Sequence, residues 1–194
     1  MKYSIEEIQK ILKKDLKENR YNHTVGVQYT SICLAMKYGY DLELAEVAGL
    51  LHDCAKELSG KKLIEICREN GEAISETELK SPFLLHGKAG ACMARDHFGI
   101  TNPMILDAIR YHTTGRPNMT LLDKIVFTAD YIEPGRKKAE NLKELRQMAF
   151  ENLDEAVLCI LEQTLKYLEA CNSEIDSQTI VTRDYYKQLL RSKK

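Results

Sequence analysis

Four of the five histidines, His23, His52, His86 and His112, fall on separate predicted helices or helix ends. His52 is followed directly by Asp53 in "LLHDCAKEL", where Leu50, Leu51, Cys54 and Ala55 read as buried. A second carboxylate, Asp130, interrupts the apolar helix "FTADYI". Burying a charge is costly unless it is paired or coordinates something. The His52–Asp53 pair therefore either faces solvent or holds a metal. Imidazole with carboxylate suits a transition metal such as iron, manganese, cobalt or zinc. Calcium and magnesium favour a shell of oxygens alone. A single buried histidine is more often a satisfied core residue than a ligand, and spacing alone leaves convergence open. An adjacent His-Asp, an earlier His and a later Asp, all in apolar helices, shift the balance toward a metal centre.

The elements that must carry these residues read almost entirely as helix. Ser4 and Glu7 form a capping box before "IEEIQKILKKDL", with Ile5, Ile8, Leu12 and Leu16 on one face. A second helix runs from about Tyr21 to Tyr38 and stops at Gly39. Asp41 caps a third, which is expected to carry both His52 and Asp53. Ser59 caps "KKLIEICREN", and Ser81-Pro82 opens "FLLHGKAGACMARDHF". Asn102-Pro103 opens "MILDAIRYH", and Thr120 with Asp123 opens "LLDKIVFTADYI". From Asn141 two or three more helices follow, broken near "NSEIDSQ". The expectation is an all-α, compact single-domain helical bundle of about nine or ten helices over residues 1–194. Its candidate site lies in 20–136 and its C-terminal helices in 141–191.

Composition narrows the class. The 194 residues are 44% hydrophobic and 29% charged, with a net charge of −1, which argues against a broad basic surface for nucleic acid. The six cysteines contain no C-x-x-C pair, which disfavours a Cys-rich zinc site and suits reduced thiols. "MKYSIEEIQKILKK" lacks the apolar centre of a signal peptide, and no apolar run approaches the roughly 18 residues that span a bilayer. A cytoplasmic protein without a membrane partner is expected.

The order His23, His52-Asp53, Asp130 resembles the HD-domain metal-dependent phosphohydrolases. The surroundings "RYNHTVGV", "GLLHDCAKEL", "LHGKAGA" and "AIRYHTTGRPNMTLLDKIVFTADYIEPGR" resemble one branch of them, the bacterial symmetrical diadenosine tetraphosphate hydrolases. The resemblance covers nearly the whole chain and is densest from Arg20 to Arg136. It implies that His23, His52, Asp53 and Asp130 bind one or two transition-metal ions, with iron the first choice and manganese or cobalt the next. It implies that His86 and His112 complete a second metal or contact phosphate, and that Arg20, Thr113 and Arg136 also contact the nucleotide. Arginine suits phosphate because its planar fork binds bidentately. Ile175, Asp176, Ser177, Gln178, Thr179 and Ile180, at the start of the last helix, match a nucleotide-holding segment, although the proline usual near Ser177 is missing. His97 matches no motif position, and Lys56 and Lys88 rank below the arginines.

The activity so implied is symmetrical hydrolysis of diadenosine tetraphosphate to two ADP, with Asp53, His86 and His112 in catalytic roles. The partners are a dinucleoside polyphosphate or ADP, and exposed apolar faces on the C-terminal helices suit a homodimer. Two other readings stand beside it: hydrolysis of another nucleotide (a dNTP, a nucleoside monophosphate or a cyclic dinucleotide) on the same scaffold, and a non-catalytic nucleotide-sensing protein whose metal is structural.

Overall fold

The computed structural model describes residues 1–137 and 139–192, and every regular element among them is helical. In chain order these are α1 (Ile5–Asp15), α2 (Glu18–Tyr38), α3 (Leu42–Leu51), α4 (Gly60–Glu69) and α5 (Glu76–Lys80). A 3-10 turn (Pro82–Leu85) leads into α6 (His86–Asp96), followed by α7 (Pro103–Tyr111) and α8 (Leu121–Ile132). The last three are α9 (Leu142–Glu151), α10 (Leu153–Ala170) and α11 (Ser177–Ser192).

The all-α expectation holds, with eleven α-helices among the described residues where nine or ten were expected. One reason is α5, which is too short for apolar periodicity and rests on a capping box between Ser75 and Glu78. Asn152 adds another break, because it leaves helical geometry and caps α10 through the Glu155 N–H. The caps read from sequence at Ser4, Asp41, Ser59, Asn102 and Thr120 all accept the expected backbone N–H groups. Gly39 ends α2 in the left-handed region, at φ 65°.

Helix α2 packs on α3 and α8 at the centre of the main core. That core takes buried side chains from α1 (Ile8, Leu12), α2 (Val27, Leu34), α8 (Leu122, Ile125) and α10 (Val157, Leu161). A smaller cluster of Ala55, Leu63, Cys67, Leu85 and Ala89 anchors α4 and the 3-10 turn to α6. One close crossing matters for the site. A Cβ on Gly87 would lie 2.6 Å from the Arg110 carbonyl oxygen, so only glycine lets α6 approach the end of α7. That approach brings His86 beside His112.

Candidate metal centre

Three of the four histidines sit where a helix begins or ends. His52 is the C-cap of α3, His112 is the C-cap of α7, and His86 is the first residue of α6. The α3 helix therefore stops one residue before His52, and Asp53 lies in the turns that follow; the pair does not ride within a helix as expected. The Cys54 N–H reaches back to the Leu51 carbonyl at i−3, tightening the chain just beyond the helix end. The adjacent residues then aim their side chains into one space.

Each of these three rings donates Nδ1–H to the carbonyl three residues earlier. His52 meets Gly49 at 2.7 Å, His86 meets Phe83 at 2.6 Å, and His112 meets Ile109 at 2.7 Å. A carbonyl can only accept, so the proton is on Nδ1 and the Nε2 lone pair is left over. His23, inside α2, reaches the same state differently: its Nδ1 lies 3.0 Å from Glu133 Oε1.

The four Nε2 lone pairs converge on the two carboxylates. Asp130 Oδ1 lies 2.9 Å from His23 Nε2 and 3.8 Å from His52 Nε2. Asp53 Oδ2 lies 3.4 Å from His52 Nε2 and 3.9 Å from His23 Nε2. Its other oxygen, Oδ1, lies 3.4 Å from both His86 Nε2 and His112 Nε2, and those two nitrogens are 3.1 Å apart. Acceptors facing acceptors repel unless a cation lies between them. His23 Nε2, His52 Nε2 and Asp53 Oδ1 are also buried without a hydrogen-bond partner, a costly condition for polar atoms.

These donors fit a transition metal. Ligand atoms about 2.1 Å from an ion and at right angles to one another stand about 3 Å apart, close to the spacings here. Two overlapping triads, His23–His52–Asp130 and His52–Asp53–His112, each bring three ligand atoms within 4.8 Å of one another. Asp53 joins the two, facing His23 and His52 with one oxygen and His86 and His112 with the other.

Electrostatics favour the metal-ready states. Burial pushes the Asp53 carboxyl up, but in the metal-free protein a charged, donating His52, a hydrogen bond from His112 and the Lys56 ammonium outweigh it and hold the group well below the usual carboxylate range, a pull that a bound cation would supply in place of the ring protons. Burial also pushes Asp130 up, and His23, Arg136 and His52 more than reverse that. Burial, then Lys56 and His112, lower His86 to about 3, against a smaller opposing pull from Asp53, so its ring is neutral at ordinary pH.

Basic side chains border the cluster. Arg20 Nη1 donates to Asp53 Oδ2 at 2.7 Å. Arg136 donates from Nη2 to Asp130 Oδ1 at 2.9 Å and from Nε to the Asp130 carbonyl at 3.0 Å. Lys56, ranked low from sequence, places Nζ 2.9 Å from His86 Nε2 and 3.8 Å from Asp53 Oδ1. Thr113 Oγ1 lies 3.1 Å from the same His86 nitrogen.

Beyond Thr113 opens a cavity of about 380 Å³, lined in part by Lys88, Arg110, Asp176, Ser177 and Gln178. Three of the six C-terminal candidates thus face it. Ile175 is half-buried, Thr179 is buried and Ile180 is exposed, and these three are absent from the cavity lining. The Gln178 N–H at the start of α11 is already taken, because the Asp176 side chain accepts it at 2.8 Å. Helix α11 is seated by Thr182, whose Cγ2 would stand 2.8 Å from a Cβ on Gly115, in the loop after His112. A second cavity of about 350 Å³ borders Tyr131, Gly135 and Arg136, at the Asp130 end of the cluster.

His97 packs against Tyr3 and Phe98 at the end of α6, as its sequence context suggests. The reading from sequence missed Glu133, which is 3% exposed and touches His23. Its one visible signal is an acid closing an apolar helix before Pro134-Gly135.

Residues 20–135 match the family model described as HD domain. The chain is 40% identical over 186 residues to a protein of Halalkalibacterium halodurans named bis(5'-nucleosyl)-tetraphosphatase, symmetrical, covering 95% of this chain and 96% of that one. A protein of Bacillus subtilis with the same name is 38% identical over 181 residues, covering 93% and 96%. A crystal structure from Clostridium acetobutylicum, described as a predicted HD superfamily hydrolase involved in NAD metabolism, superposes with a TM-score of 0.93 at 42% identity. It covers 97% of this chain and 99% of that one.

Proposed function

The chain belongs to the HD-domain family, and from that premise we propose that it hydrolyses diadenosine tetraphosphate symmetrically to two ADP. The observation that carries the chemistry is the convergence of four Nε2 lone pairs on Asp53 and Asp130, three of the cluster's buried atoms being unpartnered. The relatives named for the symmetrical reaction supply the substrate.

His23, His52, Asp53 and Asp130 would hold a transition metal, iron first and manganese or cobalt next. His86 and His112 present acceptor nitrogens to Asp53 Oδ1, which suits a second ion; a phosphate oxygen there would need one ring to take up a proton. When bound, the metal supplies Lewis-acid polarisation of a phosphoryl oxygen and acidifies water near it. The protein's own residues do the rest. Arg20 and Arg136, at opposite carboxylates, face the phosphate charge and offset it. Lys56 and Thr113, at His86, place donors where a leaving phosphate needs charge or a proton. His86 is better suited to accept than to donate, because its single proton is committed to the Phe83 carbonyl.

The cut falls at the centre of a nearly symmetrical substrate, so space is needed on both sides of the cluster. Cavities of about 380 and 350 Å³ border its Thr113 and Arg136 ends, and each would take one nucleoside half. The Asp176–Gln178 segment would wall the first. We take residues 1–194 as one catalytic unit acting on a small molecule in the cytoplasm. None of the described helices is long and apolar enough to cross a membrane.

The test is metal analysis of anaerobically purified protein, combined with product chromatography after addition of diadenosine tetraphosphate. Bound iron or manganese with ADP as the only product is expected. Metal without turnover would move the assignment to another nucleotide or to a sensing role. Absence of both after reconstitution would overturn it.

A further inference from the structure

We infer that Glu133 is a positioning residue that fixes His23 as a metal ligand, and that Gly26 and Gly135 provide the space its carboxylate occupies. This rests on the metal-site reading above. His52 and His112 are braced by carbonyls in the last turns of α3 and α7, where backbone oxygens lack intrahelical partners, and His86 by the Phe83 carbonyl of the preceding 3-10 turn. His23 sits inside α2, where the preceding carbonyls serve the helix. Its brace must come from elsewhere, and it comes from a residue 110 positions away.

Glu133 is the C-cap of α8 and is 3% exposed. Its Oε1 faces His23 Nδ1 at 3.0 Å, and its Oε2 accepts the Gly135 N–H at 2.5 Å. Its backbone is pinned as well: the Glu133 carbonyl accepts from the Arg136 N–H at 3.0 Å and from Arg146 Nη2 at 2.9 Å. Both carboxylate oxygens therefore accept. Glutamine has only one acceptor oxygen there, so its NH₂ would face either the ring N–H or the Gly135 N–H.

The two glycines are explained by the same group. A Cβ on Gly26 would lie 2.5 Å from Glu133 Oε2, 3.1 Å from its Cδ and 3.5 Å from its Cβ. A Cβ on Gly135 would lie 2.9 and 3.0 Å from the two carboxylate oxygens. Glycine is a poor residue for a helix interior, yet Gly26 sits in α2 one turn beyond His23. A carboxylate behind a ligating imidazole fixes the tautomer and raises the basicity of the ligand nitrogen. That is the role assigned to Glu133.

The experiment compares the full chain with Glu133→Gln and Gly26→Ala. Cobalt(II) affinity is measured by chelator competition, and the His23 tautomer of the metal-free protein by nitrogen-15 NMR. Both variants should bind cobalt roughly 10–100-fold more weakly. In both, His23 should lose its uniform Nδ1–H tautomer. Gly26→Ala favours helix formation, so weaker metal binding in that variant cannot be put down to a weakened α2; it also carries the test alone should Glu133→Gln not fold. Wild-type affinity together with an unchanged His23 tautomer in Gly26→Ala would overturn the inference. If the wild type takes up no cobalt, the metal-site reading falls, while the tautomer measurement still decides the role of Glu133.

Discussion

The two ends of the ligand cluster are built by different means. At one end, His86 and His112 are braced by carbonyls three residues before them, one in the 3-10 turn and one in α7, and His86 is bordered by Lys56 and Thr113. At the other, His23 and Asp130 come from helices far apart in sequence and depend on Glu133 and Arg136. At the first end local backbone geometry orients each ring, and the crossing of α6 and α7 at Gly87 brings the two rings together. The second exists only once α2 and α8 have packed. Asp53 touches both.

The largest effect should come from the residue that joins the ends. Asp53→Ala removes the carboxylate whose two oxygens face the histidines of both ends, so metal and turnover should be lost together, beyond the roughly 10–100-fold typical of losing an outer partner. Metal analysis and ADP chromatography on the same sample check this. Retained turnover at full metal content would mean that the two ends work separately.

A smaller effect is expected at the edge of the long-range end. Arg136→Ala removes a charged hydrogen-bond donor, worth about 1.5–3 kcal/mol, which is roughly 10–150-fold in kcat/KM. Metal content should be unchanged. Loss of metal in that variant would show that Arg136 holds Asp130 in place and not the substrate alone.

The remaining effect is on stability and leaves turnover at neutral pH untouched: a pH dependence from the locally braced end. His86 is lowered from 6.5 to about 3, first by burial and then by Lys56 and His112. The unfolded chain therefore binds a proton that the folded chain refuses. Stability is fully present above about 6.5 and falls as the pH drops toward 3, by up to about 1.4 kcal/mol per pH unit. Urea melts of the metal-free protein at pH 7 and pH 5 measure this, and Lys56→Met should reduce the slope by removing one of the lowering charges.

The same division decides what the sequence made legible. The caps at Ser4, Asp41, Ser59, Asn102 and Thr120 were readable because each cap and its partner lie within three residues. The residues of the His/Asp cluster were readable as candidates from polar residues in apolar runs and from the resemblance to HD-domain proteins. The helix end at Leu51 was hidden because the apolar pattern continues through Cys54 and Ala55 while the backbone turns away. Helix α5 and the break at Asn152 escaped because five residues, or one, are too few to disturb periodicity. Glu133 was hidden by distance: its partner is a ring on another helix, and no local pattern pairs residues 110 apart.

The seating of Thr182 against Gly115 has a consequence for the order in which the molecule is made. All the metal-ligand candidates lie between His23 and Asp130, whereas one wall of the larger cavity is the Asp176–Gln178 segment that α11 holds in place. Synthesis proceeds from the N-terminus, while a domain folds as a unit. A growing chain thus carries all the candidate ligands before it carries that cavity wall. The candidate metal centre and the cavity wall thus come from separate stretches of the chain, and the Thr182–Gly115 contact brings them together.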